Sequence, residues 1–442
     1  MKALTFRGGV HPRYNKDRTA GVKTALLAPP NEVVIPMTQH IGAPAKPVVE
    51  AGAQVLVGQV VGEPVGFVSA FIHSSVSGKV KAVEPRPSMS GVPAMSVVIE
   101  NDSQDSAAPM KGRGENWGKA SKDELKELVR RGGLVGMGGA AFPTHVKLSP
   151  PPDKGIDTVI LNGAECEPFL TSDHRLMLER PKAVVEGCRI AMAILGAAQG
   201  VIGIEANKLD AIGAMTEAVK GTSIRVQPLE IKYPQGAEKQ LIDAILGREV
   251  PSGGLPMDAR VVVQNVGTAA AIADAVIDGK PLYERVVTVT GSAIKEAKNL
   301  IVRVGTPVTH IVEACGGVSG ELGKLICGGP MMGNAQHTDL VPVTKGTSGL
   351  LFLCPAEVDT RPADPCIRCG RCVRACPMRL MPTELAKLSA VGRTSESEAF
   401  GILDCIECGS CSYECPSRLP LVQEIRLGKS AIHAARRKQS KK

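Results

Sequence analysis

At 442 residues and 43% hydrophobic content, the chain is long enough for about three domains with well-filled cores. Its 48 Gly and 32 Pro, against one Trp, four Tyr and seven Phe, argue for short strands and tight loops and against a helical bundle. The formal charge of +8 is concentrated after Pro420, where seven Lys and Arg face one Glu; there is no aromatic-interleaved basic platform for nucleic acid and no uncharged apolar run of about 18 residues to span a membrane.

Met1-Lys2-Ala3 leads straight into polar sequence, so no secretion signal is expected and the cysteines are read as those of a reducing compartment. Residues 1–100 carry short apolar runs between Gly and Pro: Val33-Val34-Ile35, Val55-Leu56-Val57, Val60-Val61 and Phe71-Ile72 through Val80. That pattern predicts a small all-β module. The stretch from Ala51 to Val80 resembles lipoyl- and biotinyl-carrier domains, a barrel-sandwich hybrid. The tip that would carry the modified lysine reads Ile72-His73-Ser74-Ser75 here, so the module is expected to be a scaffold. His40 and His73 are expected to be structural. Residues 101–117 are polar and read as a linker.

Residues 118–280 alternate helix and strand. Ser121-x-x-Glu124 is a capping box, and Leu125, Leu128 and Val129 make one helical face that ends at Gly132. The run Gly133 to Lys147 follows, with Gly136, Gly138 and Gly139 at its centre. Small residues there let a backbone approach a ligand closely, and Lys147 adds charge, which suits a phosphate or a flat cofactor. Because the run follows a helix rather than a strand, it is not the common dinucleotide fingerprint. Ile156 to Leu161 predicts a strand ending in Asn162-Gly163-Ala164-Glu165-Cys166-Glu167-Pro168. Polar groups at the carboxyl end of a strand are where α/β sheets bind ligands. Further strands are expected at 200–205, from Ile224, and at 260–266, with helices between them, so the sheet is parallel.

Residues 281–355 return to β pattern around one short helix at 310–315, which predicts a β-grasp module. Cys315, Cys327 and Cys354 have no metal-like spacing and are expected to pack in its interior.

Residues 360–420 hold the most specific signal. Cys366, Cys369, Cys372 and Cys376, followed by Pro377, repeat as Cys405, Cys408, Cys411 and Cys415, followed by Pro416. Two such runs denote two [4Fe–4S] clusters, with the fourth cysteine of each run crossing to the other cluster. Set one is then Cys366, Cys369, Cys372 and Cys415; set two is Cys405, Cys408, Cys411 and Cys376. Zinc sites use two separated pairs closing on four ligands, and disulfide frameworks belong to small secreted chains. Residues 421–442 read as a basic tail, either solvated or docking on a membrane surface or an acidic partner.

Three blocks, Gly133–Lys147, Asn162–Pro168 and Gln264–Thr268, resemble the flavin- and NADH-binding subunit of respiratory complex I. With the Gly8-Gly9-Val10-His11-Pro12 block and the double cysteine run, nearly all of residues 4–420 resembles the RnfC (RsxC) family. Its members are peripheral subunits of Rnf ion-translocating ferredoxin:NAD oxidoreductases. The resemblance implies a multidomain α+β and α/β chain: a barrel-sandwich hybrid, a Rossmann-like α/β flavin/NADH domain, a β-grasp (SLBB-like) domain and a two-cluster ferredoxin domain. It implies FMN and NAD(H) at Gly136, Gly138, Gly139, Phe142, Lys147, Asn162, Glu165, Glu167, Glu238, Gln264, Asn265 and Thr268. Val135 and Met137 stand where complex I has arginines, and Ala164 where it has an aspartate.

The expected function is electron transfer between the clusters and NAD(H) through FMN, because a flavin converts two-electron hydride chemistry to single electrons. No acid–base triad is needed. The resemblance implies other Rnf subunits as partners, both membrane-embedded and ferredoxin-like, with ferredoxin reached indirectly and no nucleic acid. The expected location is peripheral, on the cytoplasmic face of the inner membrane. Two alternatives are a soluble flavin/iron–sulfur reductase, similar to cobalamin reductase or the proline-reductase-linked homologue, and a cluster-bearing scaffold without nucleotide.

Overall fold

A computed structural model describes residues 2–439. Its centre is a four-stranded parallel sheet in the order 224–229, 199–205, 158–163, 261–265. Val159–Leu161, Val201, Ile202, Ile204 and Val261–Val263 are buried. Such continuous apolar strands, covered on both faces, are what a parallel sheet requires. Helices Pro181–Leu195 and Val266–Ala273 cover one face and Glu238–Leu246 the other.

The strand order reverses between Thr158–Gly163 and Val261–Asn265. Asn162 and Asn265 are register partners at the carboxyl ends of these two strands. Open α/β sheets bind their ligands at such a switch point.

The N-terminal module pairs two small antiparallel sheets, 54–55/78–86/94–101/32–36 and 46–47/60–63/72–73. Val33, Ile35, Val55, Val61, Ile72, Val80, Val97 and Ile99 fill the space between them. His40 accepts the Ala70 N–H through Nε2 at 3.1 Å, and His73 is buried, its Nδ1 without a hydrogen-bond partner among the described residues. The first 27 residues lie outside this module. Leu4 bridges to Leu229, Val10 to Tyr233, and Ala25–Leu26 adds a parallel edge strand beside Leu300–Ile301. Apolar alternation alone gave no sign of that excursion. The polar stretch after Asn101 is not free either: Val57 and Ala107 form a bridge.

The β-grasp region is a six-stranded mixed sheet around the helix Val308–Ala314. Cys315 and Cys327 lie in its core, and Cys354 packs against it.

The cysteine-rich region is built from short helices, among them Arg371–Ala375, Pro382–Ala390 and Ser410–Tyr413. Here the structure corrects the expected basic tail. Leu421–Gln439 is one helix that buries Leu421, Val422, Ile425, Gly428 and Ile432. The spacing places these on one face, packed on Pro382–Ala390. A Cβ at Gly428 would lie 2.2 Å from Ser389 Oγ, so glycine sets the closeness of the two helices. Charge count hid the amphipathic period beneath it. Lys441 and Lys442 of the expected tail lie outside the described residues.

Candidate functional site

The Gly-rich loop is a closed hairpin over the switch point. Val135 and Pro143 form a bridge at its base, the Gly136 N–H donates to Phe142 O at 2.8 Å, and the Thr144 N–H to Leu134 O at 2.9 Å. The tip, Gly138 to Ala140, is exposed, while Phe142 is half-buried. Thr268 ties the loop to the sheet: its hydroxyl accepts the Met137 N–H at 2.8 Å and donates to Val135 O at 3.3 Å. A Cβ at Gly138 would press to 3.3 Å from the Asn265 side chain, and Gly139 has φ +136°. Both positions favour glycine.

Asn265 caps the helix Val266–Ala273. Its Oδ1 accepts the Gly267 and Thr268 N–H groups at 2.8 and 3.3 Å, and its Nδ2 donates to Asp173 Oδ2 at 2.6 Å. Burial, then the charge of Glu165, pushes the Asp173 carboxyl above the usual carboxylate range. Gln264 is buried, and its Nε2 has no partner among the described residues.

Across the switch point, Asn162 donates to Gly236 O at 2.8 Å and accepts the Ala164 N–H at 3.2 Å. Glu165, at φ +49°, turns its carboxylate onto the start of helix Ser172–Glu179, accepting the Asp173 and His174 N–H groups at 2.7 and 3.2 Å. Glu167 accepts the Met331 and Met332 N–H groups at 3.1 and 2.9 Å. Both carboxylates therefore fasten neighbouring backbone. Lys147 Nζ donates to Glu238 Oε1 at 2.8 Å and to Val263 O at 3.2 Å, which joins two of the expected residues directly.

Several residues that shape the site were missed by the sequence reasoning. Lys16 is buried, and its Nζ holds Glu165 O at 2.7 Å and Leu170 O at 2.6 Å. Lys345 Nζ reaches Gly133 O at 2.7 Å, under the Gly-rich loop, and burial lowers its pKa to about 7. Arg285 donates to Lys345 O and Met137 O. Most of these contacts span more than a hundred residues, and no local motif announces them. Tyr233 did carry a signal, as the tyrosine of Tyr-Pro-Gln-Gly.

Tyr233 is 1% exposed and packs with Val10, Cys166, Ala375 and Cys408. Its hydroxyl donates to Cys408 O at 2.7 Å, and the Gly236 N–H donates to Cys166 Sγ at 3.3 Å. Cys166 is thus a buried link in this junction, its thiol pushed well above the ordinary range chiefly by burial.

Cys376, Cys405, Cys408 and Cys411 line one hollow, together with Leu380, Leu385, Ile406, Val422 and Ile425. Cys372 packs near Cys415 in a neighbouring apolar group, whereas Cys366 and Cys369 are exposed. The two runs repeat one backbone turn. Arg368 and Glu407 both have φ +56°, and their N–H groups donate to Cys366 Sγ and Cys405 Sγ, each at 3.4 Å. Among the described residues no three His, Cys, Asp or Glu converge on a single metal ion. A cube sets each thiolate on a different iron, so its ligands surround a volume rather than a point.

Four family models tile the chain. The RnfC barrel sandwich hybrid domain matches residues 4–104, the Nuo51 FMN-binding domain 129–274, the SLBB domain 286–335 and the 4Fe-4S dicluster domain 359–432. The corresponding component of the Na+-translocating ferredoxin:NAD+ oxidoreductase complex of Acetobacterium woodii is 51% identical over 439 residues, 99% of each chain. The chain belongs to the RnfC family. Within that family, the RnfC component of the proton-translocating ferredoxin:NAD+ oxidoreductase complex of Clostridium ljungdahlii is 49% identical, covering 99% of this chain and 96% of that one. The RnfC component of the ion-translocating oxidoreductase complex of Rhodobacter capsulatus is 42% identical, over 98% and 84%.

The matched FMN-binding and 4Fe-4S dicluster domains give FMN and two [4Fe–4S] clusters as the chain's cofactors. The residues present fit both groups. For FMN there is a glycine cradle that a Cβ would crowd, an unpartnered buried amide at Gln264, and left-handed φ at Ala141 and Glu165, one in each facing loop. For the clusters there are thiols in an apolar hollow with N–H groups aimed at sulfur.

Proposed function

We propose that this RnfC chain passes electrons between NAD(H) and a one-electron partner within a membrane-associated, ion-translocating ferredoxin:NAD+ oxidoreductase. The observation that carries the reading is the direct packing of Tyr233, beside the switch-point loops, on the backbone of Cys408. FMN, when bound, accepts two electrons together as hydride and releases them singly.

The chain's own residues bind and orient. Gly136, Gly138, Gly139 and Phe142 form the wall of the flavin seat, and Asn162, Asn265 and Thr268 its floor. Gln264 offers its unpartnered amide. Lys147, paired with Glu238, supplies fixed charge beside it. Glu165 and Glu167 hold the loop that faces the nicotinamide. Cys376, Cys405, Cys408 and Cys411 hold the cluster next to this seat, and Cys366, Cys369, Cys372 and Cys415 hold the other. Burial raises the pKa of the Cys405 and Cys411 thiols to about 11 and about 12, so both would have to give up a proton to serve as thiolate ligands.

Among the described residues no helix is long and apolar enough to cross a membrane. Ion translocation is assigned here to other members of the complex, and the chain is peripheral, on the cytoplasmic face where NAD(H) is available. The relatives are named as parts of ion-translocating complexes, which supports membrane-embedded and ferredoxin-like partners here. Anaerobic reconstitution with iron, sulfide and FMN tests the reading. NADH should bleach the flavin band and then the cluster absorbance; flavin bleaching with no cluster reduction overturns it.

A further inference from the structure

The two cysteine sets have opposite surroundings. Set two is enclosed. Tyr233 holds Cys408 O, Gln240 Nε2 donates to Pro377 O at 3.4 Å, and the Gly253 N–H donates to Asp404 at 3.1 Å. Met331 O lies 2.9 Å from where a Cβ on Gly409 would stand, so the β-grasp loop also seals this side.

Set one is open. Cys366 and Cys369 are exposed, and beside them Ile367 is 68% and Val373 39% exposed. Arg368, Arg371, Arg374 and Arg379 are exposed in the same fourteen-residue stretch, 366–379. The nearby carboxylates Asp359 and Asp364 are already paired with Arg361 and Arg418. Arg368 and Arg371 form no ion pair among the described residues.

Glu407 is the counterpart of Arg368 in the second run, at the same φ. It is turned inward onto Arg426 and Lys429. One repeated turn thus carries a neutralised carboxylate at the enclosed cluster and an uncompensated guanidinium at the open one.

We propose that the face formed by Ile367, Arg368, Arg371, Val373 and Arg374 docks an acidic one-electron carrier protein, an iron–sulfur protein whose own cluster lies beneath a surface rich in Asp and Glu. The inference rests on the electron-transfer reading above. Transfer between two proteins falls steeply with the gap between centres, so the exchange site must be a cluster that reaches the surface. The exposed apolar side chains permit close, dry contact, and the arginines of the same stretch attract and orient the partner. One electron passes from the reduced carrier to set one, or back; no bond forms or breaks. The basic helix Leu421–Gln439 is the rival surface. Its Arg426 and Lys429 are committed to Glu407 and its Arg436 to Glu398, which leaves less uncompensated charge there.

The test is anaerobic stopped-flow reduction of the reconstituted full chain by a dithionite-reduced, acidic two-cluster ferredoxin. The second-order rate should fall about tenfold or more as salt rises from low to above physiological strength, because steering is screened. The variant Arg368→Glu/Arg371→Glu should be about tenfold slower at low salt with a flattened salt dependence, and Arg368→Gln/Arg371→Gln intermediate. Glutamate is already tolerated at this turn, as Glu407. Arg436→Glu/Arg437→Glu on the helix should match the unaltered protein. A salt-independent rate, an unchanged rate in both arginine pairs at 368 and 371, or slowing confined to the helix variant overturns the proposal. Iron content and NADH bleaching of the same samples separate this from the underlying reading: loss of NADH-driven cluster reduction in the unaltered chain sinks that reading instead.

Discussion

Tyr233 donates its hydroxyl hydrogen to the backbone oxygen of Cys408 at 2.7 Å, and both residues are buried. One end of this bond belongs to the loop after strand Ile224–Leu229, the other to the turn that carries the Cys408 thiol. It joins the α/β region to the cysteine-rich region across 175 residues.

Tyr233→Phe keeps the ring and removes the bond, leaving Cys408 O buried without its donor, at a cost of about 1–3 kcal/mol. The variant should bind FMN normally and bleach its flavin with NADH at the usual rate. Rapid-mixing absorbance should show slower cluster reduction. Equal cluster rates in both proteins would place the electron path elsewhere.

Cys376 lines the same hollow as Cys405, Cys408 and Cys411 despite belonging to the first run. Cys376→Ala should therefore damage the cluster of the second run. Electron paramagnetic resonance of the reduced variant should retain the signal of the Cys366 set and lose or convert the other. Loss of the Cys366-set signal alone would reverse the ligand assignment.

Thr268 is the acceptor for the Met137 N–H and so fixes the Gly-rich loop over the sheet. Thr268→Val preserves volume and leaves that N–H unpaired. A loop penalty of about 1–2 kcal/mol corresponds to FMN bound roughly 5- to 30-fold more weakly. Equilibrium dialysis of FMN against both proteins measures this. Unchanged affinity would mean the loop is held without Thr268.

Burial pushes the Glu167 carboxyl from 4.5 up to about 7, against the two N–H groups it accepts. The folded chain then keeps a proton that the unfolded chain releases above about 4.5. The associated stability is present at low pH, falls as pH rises between those values, and is gone above about 7. Glu167→Gln does not titrate. The melting temperature of the unaltered protein relative to this variant should decline from about pH 5 to about pH 8. A pH-independent difference would show that Glu167 stays charged throughout.

Much of this was legible where chemistry follows local spacing. The cysteine runs, the capping box at Ser121 and Glu124, and the loops after two strands are short-range patterns, and the structure brings Asn162 and Asn265 together as register partners. What stayed hidden is long-range. Lys16, Arg285 and Lys345 grip loop carbonyls from distant segments, and a buried lysine has no sequence period. The helix Leu421–Gln439 was masked by its charges, although Val422, Ile425 and Ile432 keep a helical interval. Glu165 and Glu167 were expected at the FMN and NAD(H) site, and the structure has them bonding neighbouring backbone. Acceptors of that kind cannot be told from ligand contacts by residue type.

The central claim is that NADH electrons pass through the switch-point seat into the enclosed cluster and then to the exposed one. Rapid mixing of the reconstituted chain with NADH, freeze-quenched and read by electron paramagnetic resonance, tests it most directly. The account predicts that the signal of the Cys376, Cys405, Cys408 and Cys411 cluster develops first and that of the Cys366 set follows. Appearance of the Cys366-set signal first, or of neither signal while the flavin is bleached, would contradict it.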